Sequence, residues 1–213
     1  MLLALGALVL LLAGLATLAS SLSARGELGV INASGLALLV PVGSLLVATG
    51  ALGEMRDSGT LSYLWLRPIG RLRLAVLAYA AVAMRALPLT VVPVALAGLI
   101  VAGGQGALAG LLSAAFGTAA YTAVFLLLGL LTRRAVLIGL VYVALWEGVV
   151  AGLGTGPARV AIRTYARSVL DGLGGVRARD AEVSTLTAVF VLVVVAAVAV
   201  ALIARRLQRL DVP

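Results

Sequence analysis

The stretch LAVLAYAAVAMRALPLTVVPVALAGLIVAGGQGALAGLLSAAFGTAAYTAVFLLLGLL, Leu74 to Leu131, carries one charge, Arg85, in 58 residues. A helix needs about 20 apolar residues to cross a hydrocarbon core of about 30 Å. The stretch is long enough for two such helices, and Gly103-Gly104-Gln105-Gly106 supplies a turn where they would separate. It predicts spans over 74–102 and 107–131, the first kinked by Pro88 and Pro93.

The same reading extends outward. An uncharged run over 2–22 is too long, and lacks the positive n-region, for a secretory signal, so it is expected to be a retained first span. A second span covers 28–53 and a fifth covers 135–153 with one acid, Glu147. A valine-rich sixth covers 185–204. The expected fold class is all-α: one polytopic transmembrane domain, residues 1–213, with six helices.

Composition agrees with lipid as the solvent. Of 213 residues 63 % are hydrophobic and 11 % charged, with mean hydropathy +1.20, whereas a soluble domain is roughly half apolar and a quarter charged. Cysteine and histidine are absent, and all sixteen basic residues are arginine. That removes thiolate chemistry, the commonest general base and metal ligand, Schiff-base chemistry and a Walker A loop. The expectation is no enzyme, no bound cofactor and no metal. Net charge +8 is sparse enough to read as topology signal, not nucleic-acid affinity. With both termini in the cytoplasm, nine arginines lie inside and six outside, the weak bias that the positive-inside rule favours.

Two polar segments stand out. Between the second and third spans, Asp57 and Ser58 are candidate N-caps, Leu61, Leu64 and Trp65 form one apolar stripe, and Pro68 ends it. A short amphipathic helix over 57–66 is expected. It could simply lie on a membrane surface. Between the fifth and sixth spans, Pro157 suits a first helical position. Arg159, Arg163 and Arg167 recur every four residues, Asp171 can pair with Arg167, and Gly172 suits the end. This predicts an extracytoplasmic interfacial helix whose arginines meet headgroups or an anionic substrate. Inside the spans, Glu147 is expected to be a locked carboxylate or a gate, paired with Arg85 or with backbone amides where its helix ends.

Glu54, Arg56, Asp57, Gly59, Thr60 and Leu61, followed by Leu64, Arg67, Pro68 and Arg71, resemble the cytoplasmic motif of ABC-2 type transporter permeases. Ala120-Tyr121-Thr122, Thr132-Arg133-Arg134 and Leu145-Trp146-Glu147-Gly148 are similar to that family's fourth and fifth helices. Family members usually open on a cytoplasmic amphipathic helix, which the sequence before 28 does not resemble. The resemblance implies a bacterial or archaeal cytoplasmic-membrane exporter subunit, paired with a second permease copy and two copies of a separate ATPase that holds ATP and Mg. It implies that Glu54, Arg56, Asp57, Gly59, Thr60, Leu61, Leu64 and Trp65 form a coupling helix seated on that ATPase. Partners are then the ATPase, a second copy and the bilayer, with no nucleic acid. A self-contained secondary transporter or channel is the alternative, and it would need no ATPase.

Overall fold

The computed structural model describes residues 31–57, 70–132, 134–147, 149, 158–174 and 183–209. Among them every regular element is helical. A π-helical segment, Ile31–Leu39, runs into α1, Val40–Asp57. The long run α2, Arg71–Leu131, follows, then the short α3, Ala135–Val141, continued by a π-helical turn, Tyr142–Glu147. Helix α4 is Ile162–Leu173, and α5 is Thr185–Arg209. Ser184 Oγ accepts the Thr187 amide at 3.3 Å, an N-cap that starts α5.

Helix α2 is folded back on itself. Backbone angles leave the helical region at Ala102 and Gly103, and Gly103 has φ 64° and ψ −154°, a combination essentially confined to glycine. The two arms close antiparallel. A Cβ on Gly98 would run into the Gly106 carbonyl, and one on Gly110 would sit 2.9 Å from Val94 O. Further along, the Thr90 and Thr118 hydroxyls hydrogen-bond at 2.7 Å, and Tyr79 OH donates to Ala119 O at 3.1 Å. The turn expected at residues 103–106 is therefore present, and each arm exceeds the roughly 20 residues that a hydrocarbon core requires.

The remaining helices take their direction from this hairpin. A Cβ on Gly43 would lie 2.9 Å from Thr90 Cγ2, and one on Gly35 3.0 Å from Val94 Cγ2, so α1 and its π-helical lead run antiparallel to the first arm. The bundle thus has a tip, holding Ile31 and Gly103, and a base, holding Asp57, Arg71 and Leu131. Arg71, Arg73, Arg134, Arg205 and Arg206 follow the helix ends to the base.

Small side chains fill the closest helix contacts, and many large aliphatics stay uncovered. Ala75, Ala86, Ala109, Ser113, Ala114 and Thr118 are fully buried where helices meet. Met84, Ile100 and Leu186 are exposed at 72 %, 76 % and 84 %. Two helical runs, Arg71–Leu131 and Thr185–Gln208, are long and apolar enough to cross a membrane, and only 22 % of the most apolar window of each is buried. A soluble core helix of that hydropathy would be mostly covered. Large side chains are buried as well, Leu36, Leu45, Leu170 and Leu192 among them; small residues at the closest crossings with many aliphatics left exposed fit helices packed in lipid.

The region expected to be the first span, 2–22, lies outside the described residues, as does most of the coupling helix, with Gly59, Thr60, Leu61, Leu64 and Trp65. Glu54, Arg56 and Asp57 fall in the last turn of α1, which continues through the position where the sequence suggests an N-cap.

Candidate functional site

Glu147 is buried, with 3 % of its surface exposed. A lone carboxylate in such surroundings must gather hydrogen-bond donors or lose its charge. Three elements supply donors. Tyr121 OH, from the second arm of α2, donates to Oε2, and Tyr142 OH donates to Oε1 at 3.1 Å. The backbone amide of Arg163, in the first turn of α4, donates as well. The Arg163 guanidinium lies close enough to act electrostatically on both Glu147 and Tyr121. A carboxylate at the first turn of α4 also meets the positive end of its dipole.

The π-helical turn explains the pairing of Tyr142 with Glu147. In an α-helix residues i and i+5 point in well-separated directions. The wider π winding brings i+5 back over i, so both side chains reach one site. The rings are held by stacking: Tyr121 on Phe125 at 5.7 Å between centroids, and Phe125 edge-on to Tyr142 at 6.4 Å. Tyr121 and Phe125 are buried completely or nearly so.

Helix α4 approaches the site along the bundle. Its last-turn carbonyl at Leu173 accepts Gln105 Nε2 at 3.1 Å, close to the hairpin turn. A Cβ on Gly117 would sit 3.4 Å from Ala166 Cβ. The Arg163 amide reaches Glu147 beside Tyr121. From Arg163 to Leu173 the partners on the second arm therefore run from Tyr121 back to Gln105, so α4 lies antiparallel along that arm and rises toward the tip. Its buried residues are Ile162, Ala166, Ser168, Val169 and Leu170. Tyr121 is ten residues above Leu131 and eighteen below Gly103, roughly 15 and 27 Å at 1.5 Å per residue. Glu147 thus stands about a third of the way from base to tip, where α3 with its π turn has risen from the base and α4 starts toward the tip.

This packing refines the expected outer helix. The described helix begins at Ile162, and Pro157, the expected first helical position, lies outside the described residues. Ala158, Arg159 and Val160 form a preceding turn, closed by Ala161 N–H to Ala158 O at 3.1 Å and by Tyr165 OH to Arg159 O at 2.7 Å. Arg167 pairs with Asp171 at 3.4 Å, as its i, i+4 spacing suggests. Arg163 turns toward Glu147, while Arg159 and Arg167 are exposed. Three arginines four residues apart thus have three different surroundings.

The expected choice of partner for Glu147 is met on one side only. A helix-end amide is there, but it belongs to α4, and Arg85 is exposed on the first arm of α2. The two tyrosine hydroxyls escape sequence reasoning because tyrosine in an aliphatic span reads as ordinary packing. The one available signal is Tyr121 between Ala120 and Thr122, a polar pair inside an otherwise apolar run.

More polar atoms occur at this level. Ser44 Oγ, Thr122 Oγ1 and Trp146 Nε1 are buried without a hydrogen-bond partner among the described residues. Thr122 and Trp146 adjoin Tyr121 and Glu147. Ser44 is one turn beyond Val40, which faces Gly117. Chemically, the arrangement is a polar layer with one carboxylate at its centre and spare hydroxyl and indole groups around it. It offers charge placement and exchange of hydrogen-bond partners. No group of His, Cys, Asp and Glu that could hold a metal occurs among the described residues. Comparison with family models, with curated proteins and with solved structures finds no match.

Proposed function

We propose that the chain is the transmembrane subunit of an ABC-2 type transporter. In this reading it is an exporter half that moves an amphipathic or lipid-like substrate while a separate ATPase hydrolyses ATP. The observation that supports the membrane assignment is the exposed aliphatic surface of the long apolar helices, with small residues such as Ala109, Gly110 and Thr118 at their crossings. The arginines gathered at the base support a cytoplasmic base. The six-span topology would place α1 and the two arms of α2 as complete crossings, with α3 and α4 as two part-crossings that meet at Glu147. The transporter class rests on the motif resemblance from Glu54 to Arg71. Nothing in the chain binds nucleotide by a known motif, so energy would enter by protein contact at the base.

The test is co-purification. Isolated from its native membrane, the protein should bring down a nucleotide-hydrolysing subunit. The charge reversal Glu54→Arg with Asp57→Arg should remove that subunit while leaving membrane insertion intact, because losing a desolvated charge partner typically costs about 2–5 kcal/mol. Wild-type association in the double variant would withdraw the coupling role of these acids.

One observation favours a second reading, a self-contained secondary transporter. Part-helices meeting at a buried carboxylate are the way such proteins build mid-membrane ion sites. Transport by the purified chain alone, driven by an ion gradient and indifferent to ATP, would decide for it.

A further inference from the structure

We propose that the arginine-bearing side of α4 lines a water-filled recess reaching down to the level of Glu147, and that this recess binds a phosphate-type anionic headgroup. The proposal rests on the membrane reading above and adds a substrate chemistry to it.

Depth and exposure carry the argument together. The turn 158–160 and the start of α4 sit level with Tyr121, roughly 15 Å above the base, and Arg159 and Arg167 are exposed there and one to two turns above. Arginines at membrane depth face a bundle interior or an aqueous cavity, because hydrocarbon does not solvate them. Ile162, Ala166, Ser168, Val169 and Leu170 of α4 are buried, with α2 and α5 packed against the helix. Arg159, in the turn before it, and Arg167 remain uncovered, which leaves them to water.

The field there is positive. Around α4 stand the three guanidiniums of Arg159, Arg163 and Arg167 and the carboxylates of Glu147 and Asp171. Glu147 is occupied by two tyrosine hydroxyls and the Arg163 amide, and Asp171 by Arg167. Among the described residues no carboxylate pairs with Arg159. The Tyr165 hydroxyl fixes the turn that carries it, and the helix dipole adds positive potential at the same end. Arginine's planar fork suits a phosphate-type anion. Val160, 66 % exposed beside Arg159, gives an apolar neighbour for an acyl or isoprenoid chain.

The absence of cysteine makes the test direct. Single variants Val160→Cys, in the recess, and Val198→Cys, on the exposed side of α5, are reconstituted in phosphatidylcholine vesicles. Each is reacted with an anionic and a cationic membrane-impermeant methanethiosulfonate reagent, with rates normalised to a free thiol. Val160→Cys should react at least about tenfold faster than Val198→Cys. It should also prefer the anionic reagent by roughly tenfold, the lower end of what electrostatic focusing in a cleft gives. Adding Arg159→Gln and Arg167→Gln should abolish that preference. Equal, slow reaction at both positions, or no preference for the anion, overturns the proposal.

Protection identifies the source of the headgroup and needs no arginine variant. Slower labelling of Val160→Cys after phosphatidylglycerol is added to the vesicles assigns the site to a membrane amphiphile. Slower labelling with inorganic phosphate in pure phosphatidylcholine assigns it to a soluble phosphate ester. Protection by neither overturns the proposal. Fast labelling of Val198→Cys would instead overturn the membrane reading itself, whereas a slow Val160→Cys with ATPase association intact removes only the recess.

Discussion

Replacing Glu147 by leucine should destabilise the bundle, although it removes a buried charge. The carboxylate accepts from Tyr121 OH, Tyr142 OH and the Arg163 amide. Leucine leaves all three donors. Tyr142 is only half-buried and can turn to water, but Tyr121 is fully buried and the Arg163 amide is fixed at a helix start. A buried donor left unpaired costs about 1–3 kcal/mol, so the two together cost about 2–6 kcal/mol. Relief of the carboxylate's own desolvation offsets part of this, and a net loss of about 1–4 kcal/mol is expected. The assay is thermal or denaturant unfolding in a defined detergent, followed by tryptophan fluorescence. Tyr121→Phe separates the cause, since it removes one orphan. In a double-mutant cycle, Tyr121→Phe with Glu147→Leu should be less damaging than the sum of the singles by about 1–2 kcal/mol. If Glu147→Leu is as stable as the wild type or more so, and the cycle shows no coupling, the carboxylate is not held as described.

Glu147→Gln keeps an acceptor and should cost less than the leucine variant in the same unfolding assay. Gly103→Ala places a side chain at φ 64° and ψ −154° and should cost about 1–3 kcal/mol, read as a lower unfolding midpoint. Gly98→Val meets the Gly106 carbonyl, so it should force the arms of α2 apart. A pair of spin labels at Leu96 and Leu108 should report increased separation, and an unchanged distance would count against the close crossing. Thr90→Val with Thr118→Val should show a coupling of about 0.6 kcal/mol, typical of interhelical hydroxyl pairs in bilayers.

Much of the architecture could be read from particular residues. Gly103-Gly104-Gln105-Gly106 marks the turn of α2 because so dense a glycine run between apolar helices has few other uses, and the backbone breaks at its first residue. Glu147 is conspicuous as a single acid in an aliphatic span. Its partners are not, because they arrive from elsewhere in the chain: Tyr121 by the fold-back of α2, and the Arg163 amide by the start of α4 beside it. The Tyr142 contact is local but needs π winding, whereas α-helical periodicity separates i from i+5. The course of α4 is also hidden. Its amphipathic pattern is the same whether the apolar face meets lipid or two neighbouring helices, and only the contacts at Gln105, Gly117 and Glu147 distinguish them. Nor does the pattern show the separate turn that Ala158 and Tyr165 close around Arg159 ahead of Ile162.

The uncovered aliphatics and the small residues at the helix crossings have a genetic consequence. In a water-soluble protein, random substitution is tolerated on the outside and punished in a core of large side chains, where loss of volume opens cavities. Here the outside is a set of interchangeable aliphatics. Leu96, Val92 or Leu202 should accept isoleucine, methionine or phenylalanine freely but reject charge. The inside should be punished for gain of volume: Ala86, Ala109, Ala114 and Ala120, all at 0 % exposure, have no room for valine. A saturation library scored for folded protein should therefore sort positions by added atoms at the interior and by added charge at the exterior.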